Sequence, residues 1–446
     1  MLKTPYNKTT SGRIDTMEVG SWHWKFVFLC MLGVMIVNYG QTSLPMAMPI
    51  VIKEWGLQPF MIGTLMSASS LGLLIGAFVF GILADSIGRK RVLIITTTIF
   101  SISIGISSFA NSFGTLYAIR VIAGLGLGGF IPAVQAYVSE FAPFKVRGRF
   151  MGIFSAGNGV GYVIAVVAIM FLEKVPNGWR WTFGICALAG IIFIPIIIKT
   201  FYESVRFLAS KGKHEEALGI VEGIERGVLG KITVPREEAL EIAINSQDQG
   251  KKATAKDLFS KELMKNTLIA ILLAFITNYT FYGFIQWLPT FLTREMGYTI
   301  TSGYTFTLIA AIVGTGTPGI AVGYLSDKIG GKKTFIICMI CYALAGIIFL
   351  IFGQWWILPL YWFSSAMSSQ LYVYTPDLFP ANLRGTGLGV TGSIGRIAGF
   401  IAPMAIGAIV QGYGLKGVFL VNGTILIVGA ILTAILGIDT RNKVAA

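Results

Sequence analysis

The sequence predicts an all-α membrane protein of twelve transmembrane helices, arranged as two pseudo-symmetric six-helix bundles. Three observations carry that prediction. The 446 residues are 54% hydrophobic and only 13% charged, with a mean hydropathy of +0.73, far from the composition of soluble domains. Uncharged runs cover 26–52, 55–84, 92–119, 121–139, 150–172, 181–198, 266–293, 296–326, 334–376, 397–415 and 417–438. A helix needs about 20 apolar residues to cross roughly 30 Å of hydrocarbon, so each run supplies one span and 334–376 supplies two. Third, the last six spans repeat motifs of the first six.

Taken in order, residues 1–24 form a polar N-terminal segment, 25–200 the first bundle, 201–265 a charged linker, 266–438 the second bundle and 439–446 a short tail. Residues 1–25 lack a small-residue cleavage pattern, so the first span is expected to act as its own insertion signal. The net charge of +14 raises nucleic acid as a partner, and the placement of the basic residues rejects it. Arg89, Lys90 and Arg91 lie between spans 2 and 3, Lys145, Arg147 and Arg149 between 4 and 5, and Lys328, Lys332 and Lys333 between 8 and 9. The opposite loops are poor in Lys and Arg. The positive-inside rule therefore puts the basic loops and both termini in the cytoplasm, in a multi-pass protein of the cell membrane.

The duplication shows in two motif pairs. "GILADSIGRKRVL" at 81–93 returns as "GYLSDKIGGKKTF" at 323–335, each between the second and third helix of its half. "SEFAPFKVRG" closes span 4 and "PDLFPANLRG" closes span 10, each with an acid seven residues before an arginine, Glu140 with Arg147 and Asp377 with Arg384. The linker carries helical spacing, with Ser204 and Thr254 as N-caps, so short cytoplasmic helices are expected there. His214 lies in the linker and His23 precedes the first span, which makes both surface residues and leaves no histidine for a mid-membrane proton relay.

Cys30, Cys186, Cys338 and Cys341 all fall inside spans, so no disulfide framework is expected, and "CMIC" at 338–341 is packing rather than a metal or redox pair. Gly124, Gly126 and Gly129 satisfy G-x-G-x-x-G, yet a dinucleotide turn needs a strand before it and these glycines lie in a membrane span. Small residues there let helices approach closely, and Gly385, Gly387, Gly389, Gly392, Gly395 and Gly399 of span 11 read the same way.

At this point the chain resembles the major facilitator superfamily over nearly its whole length. G-x-x-x-D-x-x-G-R-K at 81–90 is similar to that superfamily's loop 2–3 motif, and Arg120 with "GLGLGG" to its span 4 motif. "IAGLGLGGFIPAVQAYVSEFAPFKVRG", "GWRWTF" at 178–183, "ESVRFL" at 203–208, "YGFIQWLP" at 282–289 and "IGRIAG" at 394–399 resemble the branch of sugar porters and aromatic-acid or metabolite proton symporters. The resemblance implies a latch at the cytoplasmic face built on Asp85 and Arg89. The charge network around it comprises Glu140, Arg147, Glu203, Arg206, Asp327, Lys332, Asp377 and Arg384. Gly331 replaces the arginine in the second copy, which is expected to latch less strongly.

A charge well inside a span costs at least about 2.5–3.5 kcal/mol, so such residues face a cavity or a partner. Arg396 follows Arg384 by twelve residues, which places it roughly 18 Å from the cytoplasmic end, near mid-bilayer. Arg120 lies nearer the outer end of span 4, and a cavity-facing role competes with snorkelling. Asp85, Glu140, Asp327 and Asp377 cap spans at the cytoplasmic side, and no acid lies in mid-membrane. A deep arginine without a carboxylate invites an anionic ligand, because its planar fork matches a carboxylate in two hydrogen bonds. The competing reading is that Arg396 bonds to backbone carbonyls or to Asn and Gln side chains.

In the first span "VNYGQTSLP" stands where aromatic-acid relatives read D-G-x-D, with Asn38 and Gln41 replacing both acids. Amides keep hydrogen-bonding capacity but carry no proton, so coupled symport, uniport, exchange and uptake of the protonated substrate all stay open. Asn278, Tyr282 and Gln286 share one face of span 7, and Gln135 and Asn158 join them as lining candidates. Tyr282, Trp287 and Tyr361 offer stacking surfaces, or serve as interfacial anchors and core.

The expected function is secondary transport of a small organic solute by alternating access, with an aromatic or nicotinate-like carboxylate preferred. A sugar or polyol is the alternative substrate, and a non-transporting receptor of the same fold is the alternative of another class. The chain is not expected to be an enzyme: it has no nucleophile triad, metal cluster or Walker-type loop, and no cofactor is implied. The expected partners are the substrate, membrane lipid and, in a symporter, the proton, with the protein acting as a monomer.

Overall fold

The computed structural model describes residues 8–245, 255–314, 317–352, 356–380 and 383–439. The expected N-cap Thr254 lies outside the described residues. The first six spans are Ser21–Trp55, Pro59–Ile87, Arg89–Ser107, Phe113–Phe141, Arg147–Leu172 and Gly178–Thr200. Span 7 is Met264–Thr290, running on through a π turn at Phe291–Glu295, and span 8 comprises Ile300–Gly314 and Thr317–Ile329. Gly331–Phe352 and Ile357–Tyr374 follow, and then one 53-residue helix, Arg384–Leu436. Within it Gly414 has φ 64° and ψ −166°, a backbone open to glycine alone, which separates spans 11 and 12. Ten described segments are long and apolar enough to cross a membrane. The 53-residue helix holds two crossings, and Ile357–Tyr374 with its 18 residues completes the twelve.

Local chemistry sets the boundaries. The run 92–119 is not one helix: span 3 ends at Ser107, and Ser112 starts span 4 by accepting a hydrogen bond from the Thr115 N–H at 3.3 Å. Arg120 is thus seven residues inside span 4, about 10 Å from its start. Pro45 and Pro49 sit inside span 1, where each withholds a backbone donor from the turn before it. The linker forms helices Val205–Ser210, His214–Leu229 and Arg236–Asn245, and Ser204 caps the first through the Phe207 N–H at 3.0 Å.

Two expectations are corrected. His23 is fully buried rather than on the surface, because span 1 begins at Ser21; its Nδ1 accepts from the Gly20 N–H at 3.2 Å. Among the span 11 glycines, Gly387, Gly395 and Gly399 press on Phe379, Asn278 and Tyr282, whereas Gly385 and Gly389 meet nothing and Gly392 only the Arg396 guanidinium, 3.9 Å from a built Cβ. The glycines of span 4 do pack: Gly126 lies on Phe100 and the Thr96 carbonyl, and Gly129 on Phe80.

Contacts group the chain into two compact units: Met1–Gln41 with Ile75–Ile164 and Phe183–Gly250, and Thr42–Leu74 with Ala165–Thr182 and Lys251–Ala446. The first unit contains spans 3 and 4 whole and the basic-loop ends of spans 1, 2, 5 and 6, together with the linker helices. In the second, the opposite ends of spans 1, 2, 5 and 6 group with the second-half spans. Tyr304 donates to the Met46 carbonyl at 2.5 Å and Arg294 to the Leu57 carbonyl at 3.0 Å, and a Cβ at Gly63 would sit 2.1 Å from the Pro403 carbonyl oxygen. Only glycine permits that crossing of spans 2 and 11.

Candidate functional site

In the first unit Arg120 is completely buried. Its Nη1 donates to the Gly40 carbonyl at 3.1 Å, and its guanidinium lies 4.0 Å over the Phe183 ring. The cation is therefore held in part by span 1 backbone and span 6 aromatic surface. Asn38 and Asn158, both half-buried, meet across spans 1 and 5, Nδ2 to Oδ1 at 3.4 Å, and Asn158 also donates to the Ser155 carbonyl at 3.2 Å. Gln41 is half-buried, whereas Gln135 stands exposed on span 4.

The second unit places Arg396 differently. It is half-exposed on span 11, on a face shared with the exposed Gly389, Gly392 and Ser393, and makes no hydrogen bond or ion pair among the described residues. The neighbouring face of the same helix, Gly395, Ala398, Gly399 and Ala402, is buried against span 7, with a cluster of Tyr279, Ala398 and Ala402 at its centre. Glycines at 395 and 399 let Asn278 and Tyr282 lie on the span 11 backbone: built Cβ atoms there would come within 2.5 Å of Asn278 Nδ2 and 3.0 Å of the Tyr282 ring. Asn278 donates to its own Ala274 carbonyl at 2.8 Å, and Tyr282 is half-buried. Gln286 is 6% exposed, and its Oε1 has no hydrogen-bond partner among the described residues.

Two aromatic candidates belong to the core. Tyr361 packs on Gly314 and edge-on against Phe284, and Trp287 is fully buried, stacked on Phe291 and donating to the Pro403 carbonyl at 3.1 Å.

The charge network forms in the first copy. Arg89 pairs with Glu140, Glu140 accepts from the Ser204 hydroxyl at 2.6 Å, and Glu203 accepts from the Lys90 N–H at 3.1 Å and the Ser204 N–H at 2.8 Å. Arg147 pairs with Asp15 instead of a member of this cluster. Asp85 and Arg206 are exposed, and neither forms an ion pair among the described residues.

In the second copy the matching bonds are made by neutral groups. Gln370 accepts from the Ser326 hydroxyl and donates to the Gly331 carbonyl, both at 2.8 Å. Asp327 and Asp377 are exposed and unpaired among the described residues, Lys332 donates to the Ala434 carbonyl at 2.8 Å and Arg384 to the Pro376 carbonyl at 3.1 Å. Sequence reasoning missed Gln370, Asp15, Arg13 and Glu225. Gln370 carries a weak signal, a lone amide in an apolar run; the other three lie in polar segments where charged residues are ordinary.

The sequence matches the Major Facilitator Superfamily over residues 30–401 and again over 319–445. The niacin transporter NiaP of Acinetobacter baylyi is 31% identical over 440 residues, covering 97% of this chain and 98% of that protein. The benzoate transport protein of the same organism is 26% identical over 406 residues, covering 88% and 85%. Among solved structures, the xylose transporter XylE from E. coli, in a partially occluded inward open conformation, is similar with a TM-score of 0.76 at 17% identity, covering 95% of this chain and 100% of that one. That likeness speaks for the fold alone. The duplicated twelve-span architecture and the family match over most of its length establish that this chain belongs to the Major Facilitator Superfamily and is a multi-pass membrane transporter, not an enzyme.

Proposed function

We propose that the chain moves a small aromatic or heterocyclic carboxylate, of the nicotinate or benzoate kind, by alternating access, with Arg396 as the anchor of the carboxylate. The observation that carries this reading is a half-exposed guanidinium deep in span 11 with no protein partner among the described residues. Leaving a cation so placed without a counter-charge is costly, and a carboxylate offers it two charge-assisted hydrogen bonds. Tyr282 on Gly399 provides an aromatic surface beside it, and Asn278 and Gln286 provide amides on the same face of span 7. Relatives that transport niacin and benzoate support the same substrate class.

From the first half, Asn38, Gln41, Gln135 and Asn158 are assigned to the substrate path. Arg120 and Tyr361 are reassigned to structural support, because both are buried in contacts of their own. The basic loops and both termini are assigned to the cytoplasm of the cell membrane by the positive-inside rule. The working unit is taken as a monomer of two six-helix bundles, 25–200 and 266–438, surrounded by lipid. Proton coupling is not routed through Asn38 and Asn158, whose amides bond to each other.

The test is uptake by purified protein in liposomes offered labelled nicotinate, benzoate and glucose, with and without an imposed pH gradient. Saturable carboxylate uptake is expected, and its response to the gradient separates symport from uniport or exchange. Saturable glucose uptake with no carboxylate uptake overturns the substrate assignment.

A further inference from the structure

The N-terminal helix Thr10–Thr16 is too short to persist alone, yet it makes the most enclosed ion pair among the described residues. Arg13 grips Glu225 of the linker helix His214–Leu229 in a two-pronged contact, Nε to Oε1 at 2.9 Å and Nη2 to Oε2 at 2.5 Å, with side chains 0% and 1% exposed. Thr233 completes the carboxylate, its N–H donating to Oε2 at 3.1 Å and its hydroxyl to Oε1 at 2.5 Å. A buried pair of this kind contributes register more than stability, since desolvation offsets much of its attraction, and removal of one partner strands the other.

Two residues on, Asp15 pairs with Arg147, the arginine that ends the repeated motif after span 4. Lys8 reaches Glu238 of the helix Arg236–Asn245 at 2.6 Å, and Ile14 and Met17 are buried. The segment from Lys8 to Asp15 thus joins the linker helices His214–Leu229 and Arg236–Asn245 to the turn between spans 4 and 5. The equivalent arginine of the second half, Arg384, is exposed and, among the described residues, bonds only to the Pro376 carbonyl.

We propose that Thr10–Thr16 is a strap that makes the linker helices and the span 4–5 turn one rigid body, so that residues 205–245 travel with the first half in each transport cycle. Loosening the strap slows the change of state and leaves substrate affinity alone. This rests on the transporter assignment and not on the carboxylate reading.

The test uses the full chain in liposomes, comparing wild type with Arg13→Ala, Asp15→Arg, Arg147→Asp and the Asp15→Arg/Arg147→Asp exchange. The readouts are hydrogen exchange of residues 205–245, the nicotinate dissociation constant and the initial uptake rate. Each single variant is expected to raise exchange across 205–245 and to slow uptake roughly fivefold or more while the dissociation constant stays within about twofold. The exchanged pair is expected to recover both.

Unchanged exchange in 205–245, or uptake that falls only in step with affinity, overturns the strap. Should Arg13→Ala fail to reach the membrane, the half-exposed Asp15–Arg147 pair still decides the matter. If wild type does not carry nicotinate, the carboxylate reading fails by itself, and the hydrogen-exchange comparison still judges the strap.

Discussion

Arg120 and Arg396 bring the same cation into the spans of the two halves, and their surroundings differ in kind. Arg120 has a backbone carbonyl at 3.1 Å and an aromatic face at 4.0 Å, and no exposed surface. Arg396 keeps part of its surface open on a face of glycine and serine, with no protein partner among the described residues. An arginine in a span is therefore not by itself a ligand group; the distinction lies in whether the fold has already closed around it, as it has around Arg120. The repeated loops show the same divergence, for one copy closes on Arg89, Glu140 and Ser204 and the other on Ser326, Gln370 and the Gly331 carbonyl.

The largest expected effect breaks the first comparison. Arg396→Ala should weaken carboxylate binding by about 2–5 kcal/mol, roughly thirty-fold or more in dissociation constant, while the protein still folds into the membrane. An unchanged constant in a direct binding assay removes Arg396 from the site. Glu140→Gln comes next: it leaves Arg89 without its counter-charge and should lower stability by about 1.5–3 kcal/mol, read as a drop in Tm, with a faster or slower cycle. Asp377→Asn, at the matching but exposed position, should stay within about 0.5 kcal/mol, and equal losses at the two sites would abolish the contrast between the copies.

Arg120→Met, which retains bulk under Phe183, should cost about 1–2 kcal/mol of stability and leave the carboxylate dissociation constant unchanged. A selective loss of binding there would return Arg120 to the substrate path.

The smallest effect is expected from acid. Burial pushes the Glu225 carboxyl up, but hydrogen bonds from Arg13 and Thr233 and the Arg13 charge bring it below its ordinary value. A depressed carboxyl contributes stability above its unfolded value and loses it only as pH falls through the lowered native one. Proteolysis of the N-terminal segment should therefore be the same at pH 7 and pH 5, and cleavage that rises by pH 5 counts against a closed Arg13–Glu225 pair.

The fold was legible because membrane crossing imposes a length and an apolar composition that any sequence must display. Its duplication was legible because loops 81–93 and 323–335 keep their order of residue types. What misled the reading of 92–119 was polarity: the Ser107–Ser112 turn is uncharged, so it continued the run, and only the Ser112 cap reveals the break. His23 went the same way. A polar residue in a polar segment gives no sign that the span begins two residues earlier and buries it.

The site divides along that line too. Sequence spacing located Arg396 in depth and set Asn278, Tyr282 and Gln286 on one face, since both follow from the rise and twist of a single helix. It had no means of ranking Arg120 against Arg396, or of detaching Tyr361 and Trp287 from the lining, because those distinctions depend on neighbours far away in the chain. Gly331 is the clearest case. Its departure from Arg89 was visible as a missing charge, but only the fold shows that a Cβ there would lie 2.8 Å from the Tyr374 ring and that Gln370 donates to the Gly331 carbonyl.

By itself, then, the sequence determined that this protein crosses the membrane twelve times, that its halves are copies, and that a cation, Arg396, lies near mid-bilayer in the second half, because those properties are written in composition and local period. Only the tertiary structure decided which cation is enclosed and which is open, which copy of the loop closes through an ion pair, and that the N-terminal segment ties the linker to the first half. Each of those depends on pairing between residues distant in the chain, and a polar atom gives no sign of its partner until the chain has folded.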